Sequence, residues 1–191
     1  MSKKVNGYND HDLLKMAAEG NRRESQQAFG ELYNRYSTMV FTYCQKYLHD
    51  DQTAQDIFQD TFIKFYGIIK EKKDVEFIGG YLTKIARNLC HNEVRKKHKE
   101  FAEFEENLFK SDEKNRIEEK EYKELLDKAL QSLPYEYKEF VILKEFLDMK
   151  YKEIADLMET NISDVRTKIY RAKQMLKDYL KVYVNEYNKI K

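Results

Sequence analysis

The sequence predicts an all-α protein built from two small helical domains joined by a charged linker. Three observations carry that prediction. One proline and six glycines among 191 residues leave few turn formers for a strand-rich chain. Apolar side chains recur at steps of three and four through several separate stretches, the spacing of helices with one buried face. Charge is also segregated. The formal net charge is only +1, yet Lys84 to Lys99 carries six basic residues against Glu93, and Glu100 to Glu124 carries ten acidic against five basic. That places the domains at 1–98 and 122–191 with an acidic linker at 99–121. With 41% hydrophobic residues, two compact bundles suit the chain better than one large core.

In order, Asn9 to Gly20 reads as a short helix with an Asn or Asp cap and a glycine stop. From Ala28 to Leu48 the stripe Phe29, Leu32, Tyr33, Tyr36, Val40, Tyr43, Cys44 and Tyr47 marks a longer helix. After a polar break at His49, Asp50 and Asp51, Thr53 to Ile69 forms a third. Its buried side is Ile57, Phe58, Phe62, Phe65 and Ile69, and its outer side holds Asp56, Gln59 and Asp60. Glu71 to Gly80 reads as a loop. A fourth helix begins near Tyr81, with Leu82, Ile85, Leu89 and Cys90 inward and Lys84, Arg87, Asn88, His91, Asn92, Arg95 and Lys96 on or near the outside. Beyond the linker, Leu125 to Leu133 resumes helical spacing. Pro134 then starts a helix from Tyr135 to Phe146, with Phe140, Val141, Leu143 and Phe146 buried.

Lys150 to Leu176 then reads as a helix-turn-helix. Ile154, Ala155, Leu157 and Met158 face inward on the first helix, and Ile162, Val165, Ile169, Ala172 and Leu176 on the second, with the turn at Glu159, Thr160 and Asn161. The face opposite that stripe is basic, with Arg166, Lys168, Arg171, Lys173, Lys177 and Lys181 against Asp178. Arg, Lys and Thr at this spacing suit a helix in a DNA major groove; the alternative is a merely solvated helix face, and the single sign of the charge favours DNA over it.

Several function classes are excluded or left open. The Asp and Gln cluster of the third helix has no His ligand, paired base or nucleophile beside it, so neither catalysis nor a metal site is expected there. It is either solvated surface or a dock for a basic partner. The basic, amide-bearing fourth helix suits single-stranded nucleic acid or serves only its own dipole. Cys44 and Cys90 lack the spacing of a disulfide framework or zinc site and read as core thiols in a reducing cytoplasm. No stretch reads as a signal peptide or membrane span, and no cofactor is expected.

Taken together in order, AFGELYNRYSTMVF, AQDIFQDTFIKFY, YLTKIARNLCHNEVRKK, LPYEYKEFVILKEFLDMKYKEIADLM and NISDVRTKIYRAKQML resemble the extracytoplasmic-function group of sigma-70 type RNA polymerase sigma factors over nearly the whole chain. The resemblance implies a non-enzymatic initiation factor in the cytoplasm, with a region 2 bundle and a region 4 helix-turn-helix, rather than a stand-alone helix-turn-helix regulator. It implies that Asp56, Gln59, Asp60 and Phe62 meet core RNA polymerase at the clamp helices of its largest subunit, and that the flap of the second largest subunit is a further contact. It implies that Tyr81, Lys84, Arg87, Asn88, Asn92, Arg95 and Lys96 serve the melted minus-ten strand, together with the Glu71 to Gly80 loop. Asn161, Ser163, Arg166, Thr167, Lys168, Tyr170, Arg171 and Lys173 fall to duplex minus-thirty-five DNA. An anti-sigma factor is the other partner implied, and direct membrane insertion is not.

Three positions depart from the family pattern. Tyr81 stands where Trp is usual, Asn92 where Asp is frequent, and Glu159 where glycine commonly makes the turn. Asn21 to Gln27 is also a few residues longer than usual. A left-handed Glu159 would cost about 1 kcal/mol. These departures leave the promoter sequence itself unpredictable.

Overall fold

The computed structural model describes residues 7–48, 50–71, 75–102 and 118–190, with side-chain burial described to 97 and from 124 to 181. Among them every regular element is helical. The chain divides into two compact units, 1–93 and 94–191, each with its own core.

In the first unit, α1 (Asp10–Glu19) starts at Asn9, whose Oδ1 accepts the Asp12 N–H at 2.9 Å. The next helix, α2, spans Arg22–Leu48 and so begins six residues before the expected Ala28. A reciprocal cap explains the difference: Asn21 Oδ1 accepts the N–H groups of Arg23 and Glu24, and the Asn21 N–H donates to Glu24 Oε2, each at 3.1 Å. The residues that look like extra length in the sequence are its first turns. Two polar ties hold α1 against α2. At one end Asp10 accepts from Arg35 Nη1 at 2.9 Å and from the Tyr36 hydroxyl. Burial, and then the bond to Asp10, hold that hydroxyl well above the usual tyrosine range, so it remains a donor. At the other end the buried Ser25 hydroxyl donates to the Ala17 carbonyl at 2.7 Å and accepts from Lys70 Nζ at 2.8 Å.

α3 (Asp51–Lys70) is capped by Asp50, and His49 of the expected break lies outside the described residues. α2 and α3 meet along an aromatic seam. Phe29 lies 4.8 Å from Tyr66, Tyr33 4.7 Å from Phe62 and 5.8 Å from Phe58, and Phe41 5.7 Å from Phe58, mostly edge to face. Tyr33, expected in the core, closes the solvent rim of this seam at 38% exposure. α4 runs Ile78–Ala102, three residues earlier than expected. Gly79 and Gly80 permit the early start: a Cβ on Gly80 would come within 2.5 Å of the Phe77 ring, which packs against that first turn. Lys72, Lys73 and Asp74 of the expected loop lie outside the described residues. Leu82, Ala86 and Cys90 of α4 are fully buried, as is Cys44 of α2, and the two thiols form no disulfide.

In the second unit, α5 (Glu118–Ser132) takes in the last residues assigned to the linker, and 103–117 lie outside the described residues. α6 (Tyr135–Val141) passes directly into one π-helical turn, Ile142–Phe146, where the Leu147 N–H donates to the Ile142 carbonyl at 3.1 Å. That wider turn corrects one expectation. It rotates Phe146 outward to 42% exposure, while Phe140, Val141, Ile142 and Leu143 stay in the core. α7 (Tyr151–Leu157) and α8 (Ile162–Ile190) complete the helix-turn-helix. Ile162, placed in the apolar stripe by spacing, is the first residue of α8 and 40% exposed.

The turn between α7 and α8 is a Schellman motif. The Thr160 N–H donates to the Ala155 carbonyl at 3.0 Å, the Glu159 N–H reaches Asp156 at 3.4 Å, and Glu159 is left-handed at φ 53°. The turn therefore keeps the geometry glycine favours while carrying a Cβ. Glu159→Gly should stabilise the second unit by about 1 kcal/mol in urea unfolding, and a loss of stability would show that the Glu159 side chain contributes more than its backbone strain costs.

Lys138, in the first turn of α6, is a buried cation 2.6 Å from Gln131 Oε1 and 4.7 Å from the Tyr135 ring centre. Burial pushes its ammonium down to about 8 from 10.5. The unfolded chain then binds the extra proton between those values, so stability should rise with pH across about 8 to 10.5 and gain nothing from Lys138 below that window. Lys138→Met should flatten that rise and stabilise the protein at pH 7, measured as urea midpoints at a series of pH values.

Candidate functional site

Three solvent-facing helix surfaces carry the chemistry. The first is on α3. Ala54, Ile57, Phe62, Phe65 and Ile69 turn inward, and the buried Thr61 hydroxyl returns to the Ile57 carbonyl at 2.7 Å, so no polar group is wasted on that side. The opposite side then shows Asp56, Gln59, Asp60 and Lys64, all exposed. Phe62 departs from the expected set: it is 4% exposed and packed in the aromatic seam, so it supports this face from beneath. Ile63, which the sequence reading passed over, stands within the face at 67% exposure. Its signal was that it falls outside the buried stripe of Ile57, Phe62, Phe65 and Ile69. An apolar knob among carboxylates suits a protein partner better than bulk solvent.

The second surface lies along α4. Lys84, Asn88, Asn92 and Arg95 recur at steps of four, four and three and are all exposed, as is Lys96. Tyr81 is half-buried, with its ring 6.4 Å from Phe65, and Arg87 is also half-buried beside the face. His91, expected on or near the outside, instead stacks its ring on Tyr47 at 5.3 Å. The half-exposed Phe77 ring lies over the start of the helix, another aromatic the sequence reading did not single out. Cations, amides and open aromatic edges are the groups that hold phosphates and unstacked bases.

The third surface is the recognition helix α8. Val165, Ile169 and Ala172 are buried at 3% exposure or less, which turns Ser163, Arg166, Thr167, Tyr170 and Arg171 outward on one face. Three residues assigned to DNA contact have partners within the domain. Asn161 is the cap: its Oδ1 accepts the Asp164 N–H at 2.9 Å and its Nδ2 donates to Asp164 Oδ2 at 2.7 Å. Lys168 turns back to Glu136 at 3.4 Å and over the Phe140 ring at 5.1 Å. Lys173 pairs with Glu145 of the π-helical turn at 2.9 Å. Lys168 is half-buried beside the face, whereas Lys173 is exposed two turns beyond Arg166 and carries its ion pair at the surface. Arg166 has no carboxylate partner among the described residues, and its guanidinium carbon lies 5.7 Å from the centre of the Tyr151 ring.

Among the described residues no cluster of His, Cys, Asp and Glu is placed to hold a metal ion, and no helix is long and apolar enough to cross a membrane. The arrangement offers three contact surfaces.

Family models match both halves of the chain. The family model described as Sigma-70 region 2 matches residues 32–100, and the one described as Sigma-70, region 4 matches 123–176. RNA polymerase sigma factor SigV of Bacillus subtilis is 32% identical over 133 residues, covering 69% of this chain and 78% of that protein. The ECF RNA polymerase sigma factor SigM of the same organism is 28% identical over 82% of this chain and 97% of its own length, and the RNA polymerase sigma-H factor of Pseudomonas aeruginosa 26% over 93% and 96%. In fold, the chain is similar to the sigma factor RpoE of Bartonella quintana, solved with the anti-sigma factor NepR. The TM-score is 0.68 at 20% identity, over 81% of this chain and 97% of that one. With a region 2 and a region 4 match in family order on two helical units, the chain belongs to the extracytoplasmic-function group of sigma-70 type RNA polymerase sigma factors.

Proposed function

We propose that the three surfaces divide the work of initiation. The α3 face, with Asp56, Gln59 and Asp60 around Ile63, docks core RNA polymerase on the clamp helices of its largest subunit. The α4 face, with Lys84, Arg87, Asn88, Asn92, Arg95 and Lys96 beside Tyr81, holds the melted minus-ten strand. The α8 face reads duplex minus-thirty-five DNA through Ser163, Arg166, Thr167, Tyr170 and Arg171. The protein itself performs no chemistry and acts in the cytoplasm, where core polymerase is. An anti-sigma factor is the natural restraint on such a protein; the Bartonella quintana relative in fold was solved with one.

The observation that carries this reading is the exposure of Ser163, Arg166, Thr167, Tyr170 and Arg171 on one face of a helix whose opposite side, Val165, Ile169 and Ala172, is buried.

Run-off transcription with purified core polymerase tests the reading, because addition of this protein should make it promoter-dependent. Within that assay the surfaces separate. Asp56→Ala with Asp60→Ala should weaken core polymerase binding about tenfold or more while leaving upstream DNA preference intact. Arg171→Ala should cost about 1–3 kcal/mol at one base pair of the upstream element. Lys173→Ala should leave the preference among sequences unchanged, since its charge is already committed to Glu145. Loss of sequence preference in Lys173→Ala, or equal loss of polymerase and DNA binding in the Asp variant, would overturn the division of labour.

A further inference from the structure

Among the described residues, Arg166 on the recognition face has a ring as its side-chain partner. The aromatic face of Tyr151, first residue of α7, lies 5.7 Å from the Arg166 guanidinium carbon. Tyr151 is half-buried and is itself braced: Lys144 Nζ lies 5.5 Å from the same ring centre. Lys144 is fixed in turn, donating to the Met149 carbonyl at 3.2 Å and to Asp148 Oδ1 at 3.3 Å. Asp148 occupies a left-handed position at φ 49° that ends the π-helical turn. The chain of support therefore runs from the backbone between the π-helical turn and α7, through Lys144 and the Tyr151 ring, to a guanidinium on α8.

A ring contact restrains an arginine without consuming its donors. A carboxylate would occupy the N–H edge of the guanidinium; an aromatic face engages the plane and leaves the five N–H groups at the edge available for a base or phosphate. Lys168 and Lys173 show the contrast, because carboxylates hold both. Reading guanine requires two parallel N–H bonds from one planar group, so the orientation of that plane bears directly on discrimination between base pairs. Side-chain ordering lost before binding is ordering that binding need not supply.

We propose that Tyr151 is a positioning residue for promoter reading: it orients Arg166 and thereby sets discrimination at the base pair Arg166 reads, without touching that base pair. The inference rests on the assignment of Arg166 to the DNA face. Tyr151 belongs to the supporting helix of the motif, where a sequence reading confined to the recognition helix does not look.

The test uses holoenzyme assembled from core polymerase and the full chain, on a promoter duplex that supports run-off and its single base-pair variants across the upstream element. Arg166→Ala first identifies the base pair whose discrimination it abolishes. Tyr151→Phe, which keeps the ring, should hold that discrimination within about twofold, and Tyr151→Leu should relax it about three- to tenfold while leaving the other positions unchanged. Tyr151→Leu added to Arg166→Ala should cost nothing more at that base pair, because the two act as a unit. Discrimination unchanged in Tyr151→Leu, a uniform loss at every position, or additive losses in the double variant would overturn the proposal. If Arg166→Ala alters no base pair, the DNA-reading role of Arg166 falls and the proposal with it, whereas the initiation activity of the wild-type holoenzyme stands or falls separately in the run-off control. A measurement on the unsubstituted protein guards against a misfolded Leu variant. The Arg166 δ-methylene, assigned by its absence in Arg166→Lys, should show a ring-current upfield shift in the proton NMR spectrum of the free chain, and an unshifted signal would overturn the proposal whatever the variants do.

Discussion

Withdrawing Val165, Ile169 and Ala172 from water decides the direction of every other side chain on the first turns of α8. Each large apolar side chain so buried is worth about 1.5–3 kcal/mol, more than any exposed ion pair on the same helix can return. The helix therefore cannot rotate to satisfy its charges, and the charges must accept the azimuth that packing leaves them. Ser163, Arg166, Thr167, Tyr170 and Arg171 are left pointing out, Lys168 is left at the edge within reach of Glu136, and Lys173, also exposed, comes within reach of Glu145. Function here is a by-product of which side was buried.

The same constraint explains α3, where Asp60 and Phe62 stand two residues apart on opposite sides. Phe62 joins an aromatic seam with Phe29, Tyr33 and Phe58, and that seam holds the helix so that Asp56, Gln59 and Asp60 face water. A residue can thus matter to a surface without belonging to it. Ile63 illustrates the converse, an apolar residue that packing excludes and that the acidic face therefore carries at 67% exposure. Edge-to-face aromatic pairs suit this task because their preferred geometry opposes sliding as well as separation.

How much of this was legible in the sequence depends on whether the determining contact is local. Helix type and buried stripe were readable, since a 3.6-residue period is written into the spacing of Leu32, Val40 and Tyr43 or of Val165, Ile169 and Ala172. Helix ends were less so. The start at Arg22 depends on a reciprocal cap between Asn21 and Glu24 that apolar periodicity does not register, although its Asn-x-x-Glu pattern was there to be read. Phe146 was misplaced because a single π-helical turn shifts the phase of everything after it. The ion pair of Lys168 was not legible for a different reason: Glu136 and Lys168 are 32 residues apart, and no local pattern brings them together. Glu159 was legible as a problem, and the structure resolves it as a left-handed residue in a Schellman turn.

The tied lysines also bear on what kind of DNA reader this domain can be. Sequence-independent affinity grows with the number of phosphates a protein neutralises, because each releases condensed counterions. A recognition helix with Glu136 and Glu145 beside two of its cations gives up part of that term, and the chain as a whole carries a formal charge of only +1. What remains is weighted toward the few side chains that can distinguish base pairs. For a subunit meant to search DNA as part of a much larger polymerase, weak independent affinity is an advantage, since tight non-specific binding by the free subunit would compete with assembly. The pairing of Lys168 and Lys173 therefore favours selectivity in the complex over affinity outside it, and the formal net charge of only +1 accords with that.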